Sequence, residues 1–134
     1  MAGAPRVIVC GGPRCGKTAV AARASERYRR PLLFGDALIG LLPWSEASLE
    51  VSRWFDIDGE WIIEGVVCVR ALRKWLAGNP GVPLPAQVLR LTVGVHDRSD
   101  AQTGMAKGEA SVWQEIEPAL LRMGRVITLS PPAG

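Results

Sequence analysis

The fold class predicted for this 134-residue chain is α/β: a single domain over 1–134, with a five-stranded parallel sheet, expected order 2-3-1-4-5, flanked by helices. Three observations predict it. Five short apolar runs alternate with segments of helical periodicity, the pattern of parallel strands joined by right-handed helical crossovers. The first run, Val7-Ile8-Val9-Cys10, leads straight into Gly11-Gly12-Pro13-Arg14-Cys15-Gly16-Lys17-Thr18, which is G-x-x-x-x-G-K-T, the P-loop pattern of NTP-binding domains. Carboxylates, Asp36 and Glu64, stand where the second and third runs end, the sheet edge at which ligands collect in open α/β folds.

Composition narrows the class. The chain is 48% hydrophobic and 22% charged, ordinary for a globular domain, and no apolar run reaches the length of a membrane span. Residues 1–6 carry no signal-peptide h-region, so the expected compartment is the cytoplasm, that of the host for a viral gene. A formal charge of +3, mostly from arginine, suits nucleotide or nucleic-acid partners without requiring them. Three cysteines form neither a metal spacing nor an even disulfide set. Cys10 and Cys68 lie in apolar runs and read as buried. Cys15 lies in the phosphate loop beside Lys17, where a thiol pKa falls, although a small residue that fits the loop explains it more plainly.

In chain order, the backbone N–H groups of Gly11 to Thr18 would curl around phosphate oxygens, with the positive end of the next helix behind them. Lys17 would reach the β- and γ-phosphates of ATP, and the Thr18 hydroxyl would ligate Mg²⁺. A helix from Thr18 to Arg30 comes next, with Val20, Ala24 and Tyr28 as its apolar stripe. Arg23, Arg27 and Arg30 fall on the other side, where a solvated face accounts for them. Pro31 ends that helix. Leu32 to Gly35 is the second strand and delivers Asp36 toward the γ-phosphate cleft; capping of the next segment is its alternative role.

Ala37 to Leu42 reads as a short helix broken by Pro43, after which Ser45 caps a second helix to about Phe55. Trp44 and Trp54 read as core or as a platform for a base. Asp56 to Gly59 is a turn, lacking the later ligands of a calcium loop. Glu60 to Gly65 is the third strand, and Glu64 is the candidate for the Mg²⁺-water shell, with a structural carboxylate as the alternative. Beyond it runs a helix carrying Val66, Val69, Leu72 and Leu76. Its cations Arg70, Arg73 and Lys74 face either an acceptor or water.

The turn-rich stretch 78–85 leads to a fourth strand, Gln87 to Val95, which delivers His96, Asp97 and Arg98. Asp97 to Glu109, polar and glycine-containing, is expected as a flexible lid carrying Arg98 and Lys107. A capping box at Ser111–Gln114 opens the last helix, with Val112, Ile116, Leu120 and Met123 as its stripe and Pro118 as a kink or restart. Gly124 stops it before a fifth strand, Arg125 to Leu129.

P-loop classes differ in the residues downstream of the loop. A GTPase needs Asn-Lys-x-Asp to read its base, and the sequence has none. An AAA-type motor needs an Asp-Glu pair after the third strand and far more chain; here Glu64-Gly65 occupies that place. The chain resembles the small P-loop kinases, the group of adenylate, gluconate, uridine and polynucleotide kinases. Gly11 to Thr18 carries most of the resemblance. Asp36 lies 19 residues after Lys17, much where phage polynucleotide kinase has its catalytic aspartate, and Ile62 to Gly65 is similar to the strand and Glu-Gly of uridine kinase. The paired lid arginines of adenylate kinase are missing.

The resemblance implies an ATP- and Mg²⁺-dependent phosphotransferase. Lys17 and a Thr18-held Mg²⁺ would neutralise the moving phosphoryl group, Asp36 would orient or deprotonate the acceptor hydroxyl, and Arg98 or Lys107 would cover the transition state. The chain also resembles viral kinases of hydroxymethylated pyrimidines in DNA. The favoured acceptor is accordingly 5-hydroxymethyluracil in phage DNA, held by Trp44, Trp54 and Arg70. A free nucleoside, nucleotide or small metabolite is the alternative acceptor. The competing class is an NTP-binding regulatory module that transfers nothing.

Overall fold

The structure, a computed structural model, describes residues 5–13, 16–91 and 99–129, with backbone alone at 128 and 129. Five parallel strands form one sheet in the order β2-β3-β1-β4-β5: β1 Arg6–Cys10, β2 Leu32–Phe34, β3 Trp61–Glu64, β4 Gln87–Leu91 and β5 Val126–Leu129. The connecting helices are α1 Lys17–Tyr28, α2 Trp44–Trp54, α3 Cys68–Gly78 and α4 Asp100–Arg122. The strand order matches the sequence expectation, as do the positions of the strands where they are described; residues 92–95 of the expected fourth strand lie outside the described residues.

Central strand β1 is apolar at consecutive positions because both of its faces are covered, as parallel sheets require. Val7 and Val9 pack with Ile62, Leu89 and the Ala21–Ala24 face of α1. Ile8 and Cys10 face the larger core, where Val51 and Phe55 of the α2 region, Leu72 and Trp75 of α3, and Trp113 and Leu120 of α4 meet Ile63 and Val88. The period-two alternation of the strands thus splits one hydrophobic reserve into two layers. Trp61 and Phe55, both fully buried, stack with centroids 6.4 Å apart.

Several boundaries differ from the sequence expectation. Helix α1 ends at Tyr28, with Arg29 left-handed at φ 52°. Arg30 therefore lies outside the helical stripe; it is buried against the Tyr28 ring and 4.0 Å from Glu60, so a solvated-face reading fails for it. Gly35–Leu38 is a single 3₁₀ turn. Pro43, at φ −55° and ψ 150°, is the N-cap of α2 in place of Ser45, with no side-chain cap.

The largest difference is α4. The expected lid is helical from Asp100, and the capping box is Ser99–Gln102, each side chain bonding the other's backbone N–H. Ser111 lies inside this helix. The helix also continues through Pro118, whose exposed ring interrupts the ladder on the solvent side only. Gly104 and Gly108 did not prevent helix formation because the buried face of α4 outweighs their propensity. Residues 92–98, with His96, Asp97 and Arg98, lie outside the described residues.

Candidate active site

Helix α1 starts without a side-chain cap and without an acidic residue in its first turn. With glycine as N-cap and no carboxylate in the first turn, its leading N–H groups and positive dipole end would suit an anionic group. Gly16, the N-cap, has φ 91°, a left-handed turn that lets the loop enter the helix. Lys17 is buried, and its ammonium donates to the Gly12 carbonyl at 2.9 Å, so the lysine folds back over the loop that precedes it. Gly11, Gly12 and Pro13 are also buried, while Arg14 and Cys15 lie outside the described residues.

The strand register brings both predicted carboxylates to this loop. Glu64 pairs across to Val9 on one side and Phe34 on the other, which places it at the C-terminal edge, level with the start of the loop and with Asp36 two residues past Phe34. Glu64 is buried, one of its oxygens has no hydrogen-bond partner among the described residues, and the Thr18 hydroxyl donates to the carboxylate. Burial, and then the nearby Asp36 charge, push its pKa above the ordinary 4.5, with Lys17 and Thr18 pulling the other way.

An orphaned buried oxygen beside a threonine hydroxyl fits a hard cation or its water. Among the described residues no three His, Cys, Asp or Glu side chains converge into a cage. That donor set suits Mg²⁺, which takes one or two protein oxygens and completes its shell with waters and phosphate. Thr18 and Glu64 are the residues that would hold it.

Asp36 has an anchoring role that the sequence did not reveal. Its carboxylate accepts the backbone N–H of Val66 at 3.0 Å and of Val67 at 3.1 Å, so it caps the start of α3, thirty residues downstream. The expected alternative, capping of its own next segment, is replaced by this long-range one. Gly65 makes the approach possible. A Cβ there would lie 2.7 Å from Asp36 Oδ1, and its φ is +151°. A carboxylate offers about four lone-pair sites. The backbone of Val66 and Val67 takes two of them.

The remaining predicted site residues separate. Trp44 and Arg70 come together, the guanidinium lying 5.0 Å above the indole centroid. Trp54 is at the other end of α2, about 15 Å along the axis from Trp44, and does not join them. Lys107 is exposed in the middle of α4, on a helix rather than a lid. Arg98 lies outside the described residues.

Cys68 is fully buried, with its pKa pushed far up by burial and by Cys10, Asp36 and Glu64, so it is an inert thiol. A buried ion pair between Arg90 of β4 and Glu109 of α4 was missed in the sequence, with Arg90 also 4.8 Å over Trp113. Its signal was available: an arginine in a strand that is apolar on both faces requires a buried partner.

No protein-family profile matches the sequence, and no curated protein matches it. Solved structures do resemble it in shape. A shikimate kinase from Acinetobacter baumannii, in complex with shikimate, superposes with a TM-score of 0.61 at 14% identity, over 97% of this chain and 85% of that one. An uncharacterized protein from Eubacterium ventriosum reaches 0.45 at 13% identity, over 93% and 88%. The first likeness establishes the fold, the five-stranded parallel sheet in 2-3-1-4-5 order.

Proposed function

We propose that the chain is an ATP-dependent phosphotransferase that moves the γ-phosphate to a hydroxyl group. One observation carries this reading: the loop lysine Lys17, the Thr18–Glu64 pair with its orphaned oxygen, and Asp36 meet at one edge of the sheet. ATP would lie along residues 11–18, with backbone N–H groups and the α1 terminus on its phosphates. Lys17 would leave the Gly12 carbonyl for the β- and γ-oxygens. Bound Mg²⁺ supplies charge neutralisation of the transferring group.

Asp36 orients the acceptor hydroxyl on its free lone pairs and takes the proton as the O–P bond forms and the bond to the ADP oxygen breaks. Its two backbone bonds fix the carboxylate in place, so positioning is prepaid by the fold. The shape likeness to a shikimate kinase favours phosphoryl transfer over an inert NTP-binding module. Two carboxylates at the loop edge, Asp36 and Glu64, supply what transfer needs beyond NTP binding, one for the acceptor hydroxyl and one for the metal.

The acceptor favoured by the sequence, a hydroxymethylpyrimidine in DNA, relies on an open indole face. Arg70 covers Trp44, and Trp54 is a helix length away, so a small hydroxyl compound suits this site better than an extruded base. Incubation with γ-labelled ATP, Mg²⁺ and a panel of hydroxy acids, sugars, nucleosides, nucleotides, and plain and base-modified DNA tests the reading. Label on a small hydroxyl supports it, label on modified DNA restores the DNA acceptor, and no label anywhere leaves the binding module.

A further inference from the structure

Between α2 and α3 lies a recess of about 220 Å³ lined by Trp44, Ser45, Ser48, Arg70, Arg73 and Lys74. Three of these six are cations and none is a carboxylate. Pockets that enclose a whole ligand run from about 300 Å³ upward. This one has room for a single charged group and the carbon atoms next to it.

The cations are held rather than loose. Arg70 sits over the Trp44 ring, 5.0 Å from its centroid, and its Nη1 is shut off from solvent with no hydrogen-bond partner among the described residues. Gly108 of α4 closes over the other side, where a Cβ would come within 2.9 Å of Nη2. Lys74 donates to both the carbonyl and the hydroxyl of Ser45, at 2.9 and 3.2 Å, which brings it into the recess at the start of α2. Arg73 meets Glu115 at the exposed rim, a pairing that solvent screens. A guanidinium held over an aromatic ring, with two further cations beside it, matches an oxyanion in charge, and its planar fork matches one in geometry.

We propose that this recess is an oxyanion site, taking a phosphate ester or a carboxylate. It rests on the transfer reading in one respect only, that its occupant is the charged end of the acceptor. Position supports that identification. Asp36 is anchored at Val66 and Val67, and Arg70 to Lys74 lie on the same helix about 5–10 Å further along its axis. An acceptor with its hydroxyl on Asp36 and an anion a few bonds away spans the two. A neutral acceptor leaves the recess unused.

The test is amide NMR of the full chain titrated with inorganic phosphate and, separately, acetate, in wild type, Lys17→Ala, Arg70→Ala and Arg70→Lys. The expected result is movement at Ser45, Ser48, Arg70, Arg73 and Lys74 that survives Lys17→Ala. Affinity should weaken about 10- to 100-fold in Arg70→Ala, with partial recovery in Arg70→Lys. The stronger of the two anions names the ligand class. Shifts confined to residues 11–18, or equal affinity in wild type and Arg70→Ala, overturn the site.

A transfer assay separates the two claims. With an acceptor that carries the preferred anion, Arg70→Ala should raise KM rather than lower kcat. Oxyanion binding in the recess with no transfer to any hydroxyl would refute the kinase reading and leave the anion site standing. Transfer that is indifferent to acceptor charge would refute the recess as the acceptor's seat.

Discussion

Replacing Asp36 by Asn changes one atom and tests two roles at once. The carboxylate accepts N–H bonds from Val66 and Val67, one on each oxygen. Asparagine keeps a single acceptor and turns an NH₂ toward the other backbone N–H. Bonds to a charged acceptor contribute about 1.5–3 kcal/mol and neutral ones about 0.5–1.5, so one lost and one weakened bond cost about 2–4 kcal/mol. Asp36 is only half-buried, and its charge also disfavours the neighbouring Glu64 carboxylate. Those two facts reduce the net loss to about 1–2 kcal/mol.

For a domain of this size that is a fall in Tm of about 4–8 °C, measurable by calorimetry. A structural anchor would do no more than that. A hydroxyl-aiming carboxylate would, in addition, cost about 10²–10⁴-fold in kcat for phosphoryl transfer, with ATP affinity held because the loop is untouched. Transfer within about threefold of wild type, beside the expected Tm shift, refutes the catalytic role and leaves Asp36 as the cap of α3.

Glu64→Gln should stabilise the protein without metal, and increasingly so as pH rises. The native pKa is raised above 4.5, so the folded state holds the proton more tightly, and stability is lost as pH climbs from that value through the folded pKa. Denaturant melts from pH 4 to 8 should show the two proteins alike at the acid end and diverging above it, while Mg²⁺-dependent transfer falls in the variant. Gly65→Ala meets Asp36 Oδ1 at 2.7 Å in a left-handed backbone, so it should cost about 1–3 kcal/mol by denaturation and reduce transfer together with stability. Glu109→Gln leaves the Arg90 charge buried and should cost about 3–5 kcal/mol, whereas Arg90→Met with Glu109→Leu should recover most of that in thermal melts. Lys17→Ala should abolish detectable ATP binding by calorimetry while leaving the melting profile of the core intact.

Local pattern was enough to read the sheet. The alternation of apolar runs with helical segments, and the carboxylates at the ends of the second and third strands, concern neighbours in sequence, and each was found where expected. The expected lid, 97–109, misled from 99 onward because its glycines and polar residues read as loop, yet the buried face of α4 packs on the core and a capping box twelve residues earlier than expected starts the helix. Trp44 and Trp54 looked equivalent in composition. Helix geometry puts them at opposite ends of α2, and only one reaches Arg70.

The architecture was legible in the chain alone, because periodicity encodes it, and one contiguous motif marked the sheet edge on which the proposed site is built. Folding in three dimensions was needed to show that Asp36 caps a helix thirty residues away, that Arg90 finds Glu109, and that Arg70, Arg73 and Lys74 close a recess with Trp44. Those partners are set by which helices share a face of the sheet, and hydrogen bonds and charges that act over a few ångströms leave no regular spacing in the chain to betray them.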